Sequence, residues 1–195
     1  MSKVILFNGP PSSGKDTACK IAGRWLGMNR YRYLHYRFAQ PLKDGVHAIF
    51  GMPDIATEHF AQTKEIPNPF MMGMTPRQAY IWMSEEVMKP KFGQSFFADI
   101  AANHIENFFK TQNADCVIVS DCGFQIEVDR LCERLGAHNV IVVQLHRNNC
   151  DYAKDSRGYV NSQGTTYMVA NGDMETFRIE IERLVNDSVC DLSRI

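Results

Sequence analysis

Asn8-Gly9-Pro10-Pro11-Ser12-Ser13-Gly14-Lys15-Asp16-Thr17 (NGPPSSGKDT) follows directly on the apolar run Val4-Ile5-Leu6-Phe7. From Gly9 to Lys15 the spacing fits GxxxxGK, with strand-like sequence before it and helix-like sequence after it. Glycines in such a loop let backbone N–H groups turn inward around phosphate oxygens. The first turn of the following helix adds partial positive charge. Lys15 brings a full charge to the β- and γ-phosphates. The expected nucleotide contacts are therefore Gly9, Pro11, Ser12, Ser13, Gly14, Lys15, Asp16 and Thr17. The motif normally ends in a Ser or Thr whose hydroxyl binds Mg²⁺, but here that position is Asp16, with Thr17 next. Asp16 is expected to touch the metal or to orient Lys15 and an acceptor. The alternative is an aspartate favoured in a first helical turn by the helix dipole. A second carboxylate, Asp121, closes the apolar VIVSD and completes an expected metal set of Asp16, Thr17 and Asp121.

Outward from the loop, strand-like and helix-like segments alternate. Lys3–Asn8 reads as a buried strand, Gly14–Leu26 as a helix, Tyr31–Phe38 as a second strand and Pro41–Phe50 as a short helix. Residues 51–74 are rich in Pro, Gly and Met and read as an irregular excursion. Thr75-Pro76-Arg77-Gln78 is a capping-box helix start, with the helix running to about Lys89. Ser95–Phe109 reads as a helix, Asp115–Ser120 as a strand, Phe124–Leu135 as a helix and Asn139–Leu145 as a strand. A polar loop or lid follows over His146–Thr165, then a fifth strand at Thr166–Ala170 and a last helix over Asp173–Asp187. The expected fold is α/β, of the P-loop NTPase kind: a five-stranded parallel sheet between helices, in a single domain. Residues 51–110 are its helical acceptor-binding region and 146–165 its lid. Ligands are expected beyond the carboxyl ends of the strands.

Composition narrows the class. The 195 residues are 45% hydrophobic and 22% charged, and no apolar run has transmembrane length. The N-terminus reads directly into a strand rather than as a signal peptide. Six cysteines show no metal spacing, and reduced thiols imply a cytoplasmic protein. The first fifty residues hold eight Lys or Arg against Asp16 and Asp44, while the remainder holds 13 against 20 acidic residues. A basic first quarter suits a phosphorylated ligand, and the acidic remainder argues against nucleic-acid binding.

Such a loop serves kinases, GTPases and motors alike. No NKxD-type guanine-reading motif is present, and the chain is shorter than most motors. A small-molecule kinase remains, whose chemistry needs positioned positive charge. Lys15, Arg77, Arg130, Arg147 and Arg157 are the cations in view.

Taken in order, GPPSSGKDT, RFAQPLKD, TPRQAYIWMSEEVMKPKFG, FFAD and VIVSDCGFQIEVD resemble the deoxynucleoside monophosphate kinases of phage type. The resemblance spans most of residues 3–135 and, weakly, the VANGDMETF end. It implies transfer of the ATP γ-phosphoryl group to a (deoxy)nucleoside monophosphate, with ATP and Mg²⁺ as cofactors. It places Phe38, Lys43, Arg77, Gln78, Trp82, Asp121, Phe124, Glu127 and Arg130 at the acceptor. Lys15, Asp16, Arg77, Asp121, Arg130 and Arg147 become the catalytic set, and Asn171-Gly172 sits where adenine packs, with Arg147 at the donor. Cys122-Gly123 stands where the family has Val-Arg, and Arg130 is the expected substitute for the missing arginine. Small-molecule nucleotides are the implied partners, without nucleic acid or membrane; some related kinases form homodimers. A phage-encoded chain would work in the host cytoplasm. Two other readings stay open: a kinase for a phosphomevalonate-like or dephospho-coenzyme-A-like metabolite, and a nucleotide-dependent binding module without phosphotransfer.

Overall fold

A computed structural model describes residues 2–52, 57–60, 62–153, 155 and 157–190. Parts of the expected 51–74 excursion (53–56 and 61) and of the 146–165 loop (154 and 156) lie outside the described residues. The chain divides into two compact units, Met1–Arg37 with Ala98–Ile195, and Phe38–Phe97.

The first unit is built on five parallel strands: β1 (Lys3–Asn8), β2 (Tyr33–Tyr36), β3 (Cys116–Cys122), β4 (Val140–His146) and β5 (Thr165–Ala170). Their order is β2-β3-β1-β4-β5. Val4 to Phe7 are fully buried on both sides, as a central parallel strand requires. One face carries Ile5, Phe7, Ile118, Val143 and Leu145, packed against α1 (Lys15–Met28) and α7 (Met174–Val189). Small residues of α1, Ala18, Ala22 and Gly23, bring that helix close to the sheet. A Cβ at Gly23 would stand 3.2 Å from Cζ of Tyr33, so glycine there makes room for the edge-strand tyrosine. The alternate residues Val4, Leu6, Val117, Val119 and Val142 are equally buried. α5 (Phe96–Gln112) and α6 (Gln125–Leu135) supply further buried apolar positions, including Ile105 and Leu131.

The chain leaves β1 toward β2 and β3, then crosses β1 to reach β4. That reversal makes a crevice at the strands' carboxyl ends. Pairing between β1 and β3 slips there: Leu6 pairs with Val119, but Asn8 pairs with Cys122. One extra residue is thus fitted into β3 at Ser120-Asp121, a bulge that breaks the in-out alternation. The expected strand ends at Ser120; the observed one runs on to Cys122, with Asp121 half-buried inside it. Asn8 beside Cys122 sets the loop after β1 next to Gly123.

The second unit holds α2 (Gln40–Ile49), α3 (Pro76–Ile81) and α4 (Lys89–Phe92). Its core joins Val46, Met52, Phe60, Met71, Ala79 and Met83. The capping box forms: Gln78 N donates to Thr75 Oγ1 at 3.1 Å and Thr75 N to Gln78 Oε1 at 2.9 Å. The helix then continues past its expected end, through a π-helical stretch at Trp82–Met88 into α4. Pro90 explains the change, because it has no N–H for an i−4 carbonyl and its ring crowds that carbonyl in regular α geometry.

Candidate functional site

Between β1 and α1 the chain forms a tight loop whose shape depends on two glycines. Gly14 has φ 100°, a left-handed value, and a Cβ there would strike Asn171 Nδ2. A Cβ at Gly9 would stand 2.9 Å from Leu145 O. The carbonyls of the loop are taken up by side chains, its own lysine's and two from farther along the chain. Lys15 Nζ donates to Gly9 O at 2.5 Å and to Pro10 O at 2.8 Å. Arg147 Nη1 donates to Ser12 O at 3.0 Å, and Asn171 Nδ2 to Ser13 O at 2.7 Å. The first turn of α1 has no side-chain cap. Its amides are the ones an α-helix leaves without internal partners. The buried hydroxyl of Ser13 has no hydrogen-bond partner among the described residues. Carbonyls occupied, first-turn amides open and one buried hydroxyl unspent make a cradle for an anion.

The charges around this cradle act on one another. Burial first, then the Arg157 guanidinium, hold the Lys15 ammonium below the usual lysine range; Asp16, Asp155 and Asp121 oppose this. Asp16 and Asp121 also both raise the Cys19 thiol, after burial, so the two expected metal carboxylates share a neighbourhood. Among the described residues no group of three or more His, Cys, Asp or Glu side chains is placed to hold a metal alone. Mg²⁺ keeps waters and phosphate oxygens and takes only one or two carboxylates, the number that Asp16 and Asp121 would offer from their shared neighbourhood, beside the expected Thr17.

Beside the loop a cavity of about 330 Å³ runs between α1 and the edge strand β2. Asp16, Lys20 and Gly23 line it from the helix, Tyr33 and His35 from the strand, and Arg37 from just beyond the strand's end. His35 Nε2 lies 2.9 Å from Ser120 Oγ, and burial followed by the Arg37 charge lowers the imidazole's proton affinity. The alternation Tyr33-His35-Arg37 was the available sequence signal for this wall.

Asn8 ties several segments to the site. It is fully buried, and its Nδ2 is 3.1 Å from Cys122 O, 3.1 Å from the Tyr152 hydroxyl and 2.9 Å from Gly158 O, while its Oδ1 accepts from Val160 N at 3.1 Å. The stretch after β4 is therefore stitched back onto β1. Tyr159 stacks on His146 at 4.3 Å and meets Tyr152 edge-on at 5.2 Å.

Other expected site residues are engaged differently. Arg130 does not stand in for an arginine at 123, because Asp99 at 2.6 Å and Glu133 at 2.5 Å hold its guanidinium on the faces of α5 and α6. Glu127 is buried and works on backbone rather than substrate, accepting from Gly123 N at 2.9 Å and Phe124 N at 3.1 Å. Phe124 opens α6 and is exposed. Asn171 spends its amide on the loop, and Gly172 stands open. Within the second unit, Arg77 pairs with Glu65 at 2.5 Å, Gln78 serves the capping box, Trp82 is partly exposed, Phe38 is buried and Lys43 lies 6.0 Å above the Tyr80 ring.

Burial pushes the Glu127 carboxyl up to about 7 from 4.5, although its two backbone N–H bonds pull the other way. An acid raised on folding binds its proton more tightly in the folded state. Its contribution is therefore full below 4.5 and is lost as pH rises toward about 7. Glu127→Gln keeps an oxygen for both amides and removes the charge. Its denaturant midpoint is expected to gain on the native protein's between pH 5 and 7 and then run parallel. Parallel profiles throughout would contradict this.

No family model matches the chain. A protein of Acanthamoeba polyphaga mimivirus, provisionally named a deoxynucleotide monophosphate kinase, is 25% identical over 138 residues, 67% of this chain and 68% of that one. A solved structure from Chloroflexus aurantiacus, provisionally described as a kinase, superposes with a TM-score of 0.50 at 12% identity, over 96% of this chain and 98% of that one. A sugar kinase from a Janibacter species covers 99% of this chain and 95% of its own at 12% identity, but its TM-score of 0.46 is too low to bear on the fold. The five-stranded parallel sheet, its helical layers and the GxxxxGK loop after β1 give the chain the P-loop NTPase fold.

Proposed function

We propose that the protein is a kinase that moves the γ-phosphoryl group of ATP onto the 5′-phosphate of a deoxynucleoside monophosphate. The observation that carries this reading is the cradle itself: four loop carbonyls held by side chains, two by the loop's own Lys15 and two by Arg147 and Asn171, with the helix amides left for an anion. The mimivirus relative supports the acceptor class, and the cavity beside Asp16, with Lys20 and Arg37 on its walls, suits an anionic acceptor.

In this reaction a new bond joins an acceptor phosphate oxygen to the γ-phosphorus, the bond to the β-phosphate oxygen breaks, and ADP leaves. Lys15 and the first-turn amides hold the donor's phosphates in place. Asp16, Thr17 and Asp121 would hold Mg²⁺, which would supply positive charge to offset that of the donor's phosphates. Lys20 and Arg37 attract the acceptor's anionic end. The acceptor phosphate is already nucleophilic, so no strong general base is needed. Arg147 braces the loop through Ser12 O.

The test is ADP release with each of the four deoxynucleoside monophosphates, alongside phosphomevalonate and dephospho-coenzyme A. At least one monophosphate is expected to accelerate release and emerge as a diphosphate. Acceleration by another metabolite alone, or by none, would overturn the acceptor assignment.

A further inference from the structure

Residue 123 is bare backbone at the carboxyl end of β3, beside the phosphate loop, and the space above it is filled. A Cβ at Gly123 would lie 2.7 Å from Cγ and 2.9 Å from Cβ of Arg157, closer than real side chains approach. Gly158 N donates to Gly123 O at 3.1 Å, so backbone pairing fixes this overlay. Arg157 comes from a segment 34 positions downstream, yet its stem occupies the place of a side chain at 123. Its guanidinium is held by Asp155, with Nε to Oδ1 at 2.8 Å and Nη2 to Oδ2 at 2.5 Å.

We propose that Arg157 is the arginine of the phosphoryl-transfer centre, laid onto Gly123 through the backbone bond of its neighbour Gly158, and that Asp155 is its resting counter-ion, exchanged for a substrate phosphate. This inference rests on the reading of the site as a phosphoryl-transfer centre.

Three observations favour a ligand role over a purely structural one. The ion pair joins residues two apart on one segment, so it cannot fasten that segment to the sheet; Asn8 and Gly123 already do so. Second, Arg157 is only about a third exposed and sends positive charge toward Lys15, whose ammonium is already half-buried. Two cations facing one cradle repel each other until an anion lies between them. Third, Asp155 reaches the guanidinium through both oxygens, in the fork geometry that a phosphate also satisfies. The carboxylate, held down to about 2 by that pairing, is the anion that a phosphate would replace.

The experiment compares native protein with Arg157→Ala, Arg157→Lys and the double variant Gly123→Arg/Arg157→Gly, which also removes the Cβ 2.9 Å from the new side chain, by turnover and by calorimetric titration with inorganic tripolyphosphate. Arg157→Ala is expected to lower turnover by about 10³-fold and to weaken tripolyphosphate binding about 10- to 100-fold, with an unchanged circular dichroism spectrum. Lysine should recover part of the binding but little of the turnover. Arginine placed directly on residue 123 should recover part of both, since it re-enters the same space from the other side. Turnover and tripolyphosphate affinity both within about threefold of native in Arg157→Ala would overturn the inference. So would a loss that tracks unfolding and that the double variant fails to reverse. If the native protein transfers phosphate to no acceptor while Arg157→Ala still loses tripolyphosphate affinity, Arg157 stands as a phosphate-binding residue, while its transfer role falls together with the kinase reading.

Discussion

Lys15→Met is expected to lower phosphoryl transfer by about 10³-fold or more, or about 4 kcal/mol of transition-state stabilisation. The ammonium sits at the mouth of the loop, donating to Gly9 O and Pro10 O, and it is the only full charge that the loop itself brings to a phosphate. Methionine matches its length without charge or donor. Pro10 O also accepts from Ser13 N at 3.2 Å, so the change takes its donor chiefly from the buried Gly9 O, at a cost of about 1–3 kcal/mol that leaves the fold intact. The checks are ADP formation with the best acceptor and a thermal scan. A Lys15→Met protein within tenfold of native turnover would mean that the phosphates are held elsewhere. Lys15→Arg is no safe substitute, because a planar fork does not fit a space shaped around a point charge.

Asn8→Ala is expected to be the largest loss of stability from one side chain near the site. It strands Cys122 O, Gly158 O and the Val160 N–H at a buried position, and it frees the Tyr152 hydroxyl. Each unpaired buried group costs about 1–3 kcal/mol, and shared relaxation brings the total to about 3 kcal/mol. In a chain of this length that lowers the thermal midpoint by about 6–12 °C. Asn8→Asp should be worse at neutral pH, because a carboxylate would face two carbonyl oxygens, and should recover on acidification as it regains a proton to donate. Turnover should fall in both variants below the unfolding transition, since the segment that carries Arg157 loses its anchor. A midpoint within a degree or two of native for Asn8→Ala would show that these bonds hold nothing together.

What the sequence disclosed and what it hid divide by range. The loop's course was legible because its glycines and lysine lie within Gly9–Lys15, and the strand before and the helix after it are contiguous with it; Arg147 and Asn171, which hold two of its carbonyls, come from far along the chain. The sheet was legible because Val4–Phe7, Val117–Val119 and Ile141–Leu145 are short apolar runs between helices. The Thr75–Gln78 capping box was legible for the same local reason. Hidden were the contacts that join distant segments. Asn8 meets Gly158 and Val160 across 150 and 152 positions. Arg157 returns to Gly123 by a path that no local spacing encodes. Arg130 looked available because its neighbour Glu127 belongs to the quoted motif; its pairing with Glu133 at i,i+3 was a visible warning, but the one with Asp99 was not. The slip at Ser120-Asp121 depends on pairing with β1, so a strand pattern read alone ends one turn of the pleat too early.

The most direct measurement is of the loop amides. In a ¹H–¹⁵N correlation spectrum of the labelled protein, MgATP is expected to shift Gly9 and Ser12–Thr17 saturably and more than any other group of residues, with inorganic tripolyphosphate shifting the same set. If those resonances stay in place at saturating MgATP, or if the shifts gather elsewhere while Lys15 and its neighbours are untouched, the loop is not a phosphate cradle and the account fails.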